Sequence, residues 1–312
     1  MDELVLGVDL GGTDVKLGVC TAQGTILRRR VIPTEAPRGP EDTIERVAAA
    51  AIALLVPSGS DGVVACGVSV PGPLDLERRL LRRAANFPGW EDVPVPALLR
   101  ERIGLPTVLE NDANCAAWGE YHVGIGRRAR SLVLFTLGTG VGGAIMLNGD
   151  LWVGAGGAAG RLGHVVIDPA GPECGCGQKG CLEQFASATA VARAYGRGTA
   201  REAFDAARRG VPEAIAAIDR ACAALAAGIT TVIQVLEPEL VVLAGGMSAA
   251  GDLLLDRVRA GVRQEALAGE RIRIEQSVLG PDAGWVGAAL WARSKSATHH
   301  NKTNAGSDGT KI

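Results

Sequence analysis

The sequence predicts a duplicated α/β fold. A β-meander begins at the first residues, and a second meander of the same form begins near residue 131. Each carries a glycine-rich turn at the equivalent place, Asp9-Leu10-Gly11-Gly12-Thr13 in the first and Leu137-Gly138-Thr139-Gly140-Val141-Gly142-Gly143 in the second. Two facing halves of that kind leave an interdomain cleft, which is where ligands bind.

In the first passage, residues 4–9, 15–20 and 26–32 read as short apolar strands turned at Gly11-Gly12 and at Gly24. Residues 41–55 then place Ile44, Val47, Ala48, Ala51, Ile52 and Leu55 on one helical face and stop at Pro57. Residues 63–70 form a buried strand halted by Pro71-Gly72-Pro73, followed by a short helix at 97–103 and a strand at 107–110. The order so far is βββαβαβ, and a helix at 113–121 is expected at the crossing between halves.

The second passage repeats the pattern with strands at 131–137, 144–147 and 150–153, the last two joined by the hairpin signal Asn148-Gly149. After a cysteine-bearing insertion comes a long helix at 212–236, with Pro212 suited to a first helical position. A strand at 240–244 is broken by Gly245-Gly246; a helix at 253–268, a strand at 271–275 and a closing helix at 283–292 follow. The expected domains are residues 1–112 with 284–293, and residues 113–283. Residues 294–312, polar and without periodicity, are expected to be a disordered tail.

Composition narrows the function classes. The chain has 312 residues, 47% of them hydrophobic and 21% charged, enough to bury a sizeable core. A net charge of −2 offers no basic field for nucleic acid or an anionic membrane. No apolar run reads as long enough to span a bilayer, and the acidic start lacks a secretory pattern, so a cytoplasmic protein is expected. Of 7 cysteines, Cys174, Cys176 and Cys181 crowd one glycine-rich stretch, which fits metal ligation better than a disulfide framework.

Glycines at a hairpin turn let backbone amides approach an anion, and the Thr13 and Thr139 hydroxyls add donors. One such loop is more often only a turn. Two in matching positions, with Gly245-Gly246 as a third after a buried strand, outline a nucleotide site. Asp9 reads either as a turn-capping residue or as a carboxylate for a magnesium ion. Asp112, in Glu110-Asn111-Asp112-Ala113-Asn114, reads either as a helix N-cap or as a general base that takes a proton from an attacking hydroxyl. His164 with Cys174, Cys176 and Cys181 makes a closed Cys₃His set, the signature of a structural Zn²⁺. Cys20, Cys66, Cys115 and Cys222 read as small core residues, and His122 as a surface or capping histidine.

These motifs in this order resemble the ROK family, whose fold belongs to the ribonuclease H-like (actin/hexokinase) group. The resemblance runs from about Leu4 to Arg293 and rests on Asp9 to Thr13, Val70 to Pro73, Asn86-Phe87-Pro88-Gly89-Trp90, Glu110 to Asn114, Leu137 to Gly143 and His164 to Cys181 with Leu182-Glu183. The bacterial glucokinase branch is the nearest in pattern. The resemblance implies an ATP-dependent hexose kinase that phosphorylates the 6-hydroxyl of a sugar, with glucose as the default acceptor. It implies Asp112 as the base, with Asn86, Asn111, Asp112, His164 and Glu183 around the sugar. The nucleotide and Mg²⁺ fall to Asp9, Gly11, Gly12, Thr13, Lys16, Gly138, Thr139, Gly140, Gly142, Gly245 and Gly246. It implies a homodimer or larger homo-oligomer, and no nucleic-acid partner, since residue 4 already opens a strand where ROK repressors carry a helix-turn-helix.

Two positions depart from the family pattern. Arg161 stands where Glu is usual ahead of Gly163-His164, and a guanidinium has donors but no acceptor for a sugar hydroxyl. That keeps three alternatives open: mannose or an N-acetylhexosamine (N-acetylglucosamine, N-acetylmannosamine) as acceptor, or a sugar-binding protein with impaired turnover. Asp14 stands where Lys is frequent, with Lys16 nearby as partial compensation. Polyphosphate as donor also stays open.

Overall fold

The computed structural model describes residues 3–56, 62–84, 87–267, 269 and 271–305. The chain forms two compact units, one of Met1–Gly119 with Asp282–Ile312 and one of Glu120–Pro281.

In the first unit, β1 (Leu4–Leu10), β2 (Asp14–Thr21) and β3 (Ile26–Pro33) make the expected antiparallel meander. Helix α1 (Pro40–Leu55) crosses to β4 (Val63–Val70), parallel to β1. A small pair, β5 (Leu81–Arg83) and β6 (Glu91–Val93), precedes α2 (Val95–Ile103) and β7 (Thr107–Asn111). The sheet order is β3-β2-β1-β4-β7. Its core is aliphatic, with Leu6, Val8, Leu17, Ile44, Val68 and Leu109 fully buried. The β5–β6 pair was not legible in the sequence, because three-residue strands carry too short an alternation to register.

Helix α3 (Asp112–His122) opens directly on β7. In the second unit β8 (Ser131–Leu137), β9 (Val141–Leu147) and β10 (Asp150–Leu151) repeat the meander. After α4 (Glu183–Ala186), α5 (Ala188–Tyr195), α6 (Ala200–Arg208) and α7 (Pro212–Leu236), strand β11 (Leu240–Ala244) lies parallel to β8; α8 (Asp252–Glu265) then leads to β12 (Arg273–Gln276). The order β10-β9-β8-β11-β12 has the same form as the first sheet, so the duplication is real at the level of topology. Helix α7, packed against α8, α6, α5 and α4, is long and apolar enough to cross a membrane by length and composition, contrary to the sequence reading. Most of it is buried within this unit, which is where its apolar faces are used.

The chain returns to the first unit as α9 (Ala283–Ala305), which packs on β1 and β4. Gly18, Gly7 and Gly67 sit side by side on β2, β1 and β4 and form a trough for it. A Cβ on Gly7 would strike the Trp285 carbonyl, one on Gly67 the Ala288 carbonyl, and one on Gly18 the Trp285 ring. Trp285 is wholly buried there.

The unit boundaries differ from the expected ones. The first falls within α3, between Gly119 and Glu120, rather than ahead of it. Its early turns are tied to α9, with Trp118 edge-on to Trp291 at 4.8 Å and the Cys115 carbonyl against Gly287. The second falls at Asp282, whose carboxylate accepts from Trp285 Nε1 at 2.8 Å and Arg29 Nη1 at 3.0 Å. The tail expectation needs correction over residues 294–305, which continue α9. No Gly or Pro interrupts them, and Ser294 and Ser296 donate to the Trp291 and Ala292 carbonyls while Lys295 lies 3.8 Å from the Trp291 ring centroid. Residues 306–312 lie outside the described residues.

Candidate active site

Asp9, Ser69 and Glu110 lie in one register row at the carboxyl ends of parallel β1, β4 and β7, the edge where open α/β sheets bind ligands. Ser69 Oγ donates to Asp9 Oδ1 at 2.8 Å. Glu110 is 1% exposed; its Oε2 accepts from Arg78 Nε at 3.0 Å, and its Oε1 from the Asn111 amide and Asn114 Nδ2, both at 2.9 Å. That buried carboxylate fixes the corner between β7 and α3 from which Asn111 and Asp112 project.

The cap of α3 is Asn111 rather than Asp112. Asn111 Oδ1 accepts from the Ala113 and Asn114 amides at 3.0 and 3.4 Å, as an N-cap does, whereas Asp112 Oδ1 accepts from the amide of Ala113, at 2.9 Å. The Asp112 carboxyl is pushed up to about 6, by burial first and by the nearby charge of Asp9 second, opposed by the Ala113 amide and the Asn111 side chain, which steady its ionised form. Asp9 is raised as well, by burial, against the Ser69 hydroxyl and the charge of Lys16, its ladder partner on β2. The Asp9 carboxylate also faces the start of α9, where a Cβ on Gly284 would stand 2.7 Å from it.

The first glycine loop is more closed than expected. The Gly11 amide is spent on the Asp9 and Asp14 carbonyls, both at 3.1 Å, so it points into the hairpin. Gly12 and Thr13 keep amides with no backbone partner among the described residues. Asn86 lies outside the described residues.

In the second unit the loop proper is Gly138-Thr139-Gly140. Gly142 belongs to β9, opposite Thr136, and is a ladder residue. The Gly138 amide closes on the Gly140 carbonyl at 3.0 Å. The Val141 amide donates to Glu183 Oε2 at 2.9 Å, with Gly140 leaving the space that this carboxylate occupies. Gly245 (φ +86°) lies against the Leu137 backbone and holds the end of β11 beside that of β8. Gly138, Thr139 and Gly246 line a cavity of about 660 Å³, walled also by Phe204 and Met247 and rimmed by Arg201. The sequence did not single out these α6 residues, because they follow an ordinary amphipathic helical pattern.

The cysteine-bearing insertion is a small hairpin, bridged at Val166–Cys181 and Glu173–Lys179. Gly180 (φ +70°) lies so close to Asp168 that a Cβ would overlap its carbonyl. The loop gathers one ligand atom each from His164, Cys174, Cys176 and Cys181 within 4.8 Å of one another. Cys174 Sγ is 3.6 Å from His164 Nδ1, and Cys176 Sγ 3.6 Å from Cys181 Sγ. Ligands about 2.0–2.3 Å from a tetrahedral Zn²⁺ lie roughly 3.5–3.8 Å apart, so the set fits that ion. Glu183 Oε1 lies 4.0 Å from Cys174 Sγ, which links this cluster to the glycine loop. Arg161 is exposed just before the turn Leu162–His164, where its carbonyl accepts from the His164 amide at 3.0 Å and its side chain has no hydrogen-bonded partner among the described residues. Cys20, Cys66, Cys115 and Cys222 are buried core residues, as read from the sequence, with burial raising each thiol.

The chain is 37% identical to a glucokinase of Thermotoga maritima, covering 91% of this chain and 96% of the relative. It is 36% identical to an N-acetylmannosamine kinase of Yersinia pestis, covering 93% and 98%. Among solved structures, a ROK family glucokinase from Streptomyces griseus in complex with glucose and AMPPNP superposes with a TM-score of 0.81 at 34% identity, covering 93% of this chain and 99% of that one. The ROK family pattern itself matches residues 5–295, nearly the whole described fold, and the chain belongs to the ROK family.

Proposed function

We propose that this protein is an ATP-dependent hexose kinase that transfers the γ-phosphate to the 6-hydroxyl of a sugar, with glucose as the acceptor. The observation that carries the reading is Asp112: a carboxyl at the end of a sheet, held by its own helix start, with a pKa lifted toward neutrality. Such a group accepts the hydroxyl proton as the oxygen attacks phosphorus, while remaining ionised at neutral pH. Asn111 orients the same corner, and Asn111, Asn86, His164 and Glu183 are assigned to the sugar hydroxyls. The cavity beside Gly138, Thr139 and Gly246 suits the nucleotide.

Mg²⁺, when bound, offsets the charge on the transferring phosphates, and Asp9 is the carboxylate assigned to it. His164, Cys174, Cys176 and Cys181 would hold a Zn²⁺, which would fix the orientation of His164 beside Glu183 as a structural ion. The relatives include glucokinases and N-acetylmannosamine kinases, and the donor-only Arg161 favours a second reading, an acceptor bearing an N-acetyl carbonyl.

Coupled phosphorylation across glucose, mannose, N-acetylglucosamine and N-acetylmannosamine tests both readings. Asp112→Ala is expected to lose transfer by at least about 10³-fold with nucleotide affinity nearly intact, and ordinary turnover in that variant would refute the base. Glucose preferred by the wild type, with Arg161→Glu changing little, supports the first reading. An N-acetylhexosamine preferred by the wild type, with glucose activity gained in Arg161→Glu, supports the second.

A further inference from the structure

The cavity in the second unit has a division of character that bears on the donor. Its buried wall is apolar: Ala200, Phe204 and Met247 are each less than a tenth exposed. Its polar side chains beyond the glycine loop lie at the exposed or half-exposed rim, and most are already engaged. Thr199 forms a capping box with Glu202, and Arg208 donates to Asp205 at 2.8 Å and to the Ala250 carbonyl at 3.1 Å. Arg201 is exposed and has no hydrogen-bonded partner among the described residues.

Strong discrimination between hydrogen-bonding patterns arises when the wrong ligand leaves a buried polar group of the protein unpaired. An apolar slot rejects an isostere only about 10²-fold, because the exchanged groups trade water for water at the rim. No buried polar side chain lines this cavity among the described residues. Guanidinium groups at the rim, moreover, meet the acceptors O6 and N7 of guanine at least as well as the single N7 of adenine.

Resting on the kinase reading above, we infer that the cavity selects its donor as a planar purine by shape, against an apolar wall that Phe204 and Met247 back, and accepts guanosine triphosphate alongside ATP. The base edge is read weakly. Asp205, its Oδ1 engaged by Arg208 and its side chain half-exposed, does not serve as a recognition group for the adenine amine.

Initial rates with ATP and GTP at saturating acceptor, on the full chain, test this. The expected kcat/KM ratio lies within about 100-fold, and a preference of more than about 100-fold for either nucleotide overturns the inference. Asp205→Ala is expected to leave the ATP-to-GTP ratio within a factor of ten, and a larger change in that ratio overturns it as well. Phe204→Ala is expected to weaken both nucleotides alike. If no acceptor is phosphorylated from either donor, the kinase reading fails. Calorimetric titration with the non-hydrolysable β,γ-imido analogues of ATP and GTP then decides the cavity's selectivity on the same 100-fold criterion.

Discussion

Asp112 shows how one residue's surroundings set both chemistry and stability. A carboxyl whose native pKa is raised to about 6 costs stability above that pH, where the fold must hold a desolvated charge beside Asp9; the cost fades as pH falls through 6 toward the ordinary value of 3.8. Activity runs the opposite way, because the base must be ionised. The kcat/KM for the sugar is expected to climb with pH and level off above about 6. Asp112→Asn, inactive, is expected to raise stability at pH 7.5 by on the order of 1–2 kcal/mol, discounted for the partial exposure of the site. Urea melts should show that gain shrinking as pH falls below 6 and gone only below about 3.8, and a variant no more stable than the wild type at pH 7.5 would contradict the burial argument.

Among elements, the hairpin of residues 166–181 is the one expected to depend on a ligand, since it carries three of the four candidate zinc ligands. Its three thiols gather with the imidazole of His164, just ahead of it. Cys181 is pushed up, by burial first, while Cys176 is lowered, chiefly by the Gln178 amide, so two adjacent thiolates without a cation are unfavourable. Purified protein is expected to carry about one zinc ion per chain. Chelation or Cys176→Ser is expected to lower Tm by more than about 5 °C and raise the sugar KM. Metal analysis finding no zinc, together with an unchanged melting curve, would remove the ion from the account.

At the scale of the whole molecule, unit 1 is assembled from both ends of the chain, and α9 makes that possible by lying in the Gly18-Gly7-Gly67 trough. Its carbonyls approach so closely that a methyl group at Gly67 meets backbone, which cannot swing aside as a side chain can. Gly67→Ala is therefore expected to cost about 3 kcal/mol or more. Gly156→Ala, where a Cβ meets open space, should stay within about 0.5 kcal/mol. Equal melting curves for the two variants would show that the trough tolerates α9 moving away.

Much of this protein was determined by local sequence. The duplicated meanders were legible because alternating apolar strands and Gly-Gly or Asn-Gly turns act over a few residues, and the His164–Cys181 cluster because cysteines and glycines at that spacing have little else to form. The end of α9 was misjudged since polar residues 294–305 hold a helix through backbone and through contacts with Trp291 that a hydrophobicity pattern does not register. Other features were decided only in three dimensions. Asn111 rather than Asp112 caps α3, Arg78 reaches Glu110 from 32 positions away, and Gly7, Gly18 and Gly67 become one surface when three strands fall into register. The raised pKa of Asp112 belongs to that class as well, since it comes from burial and from Asp9, about a hundred residues distant in sequence. Short-range sterics and periodicity are written along the chain, whereas desolvation, charge coupling and close approach exist only between segments that folding brings together.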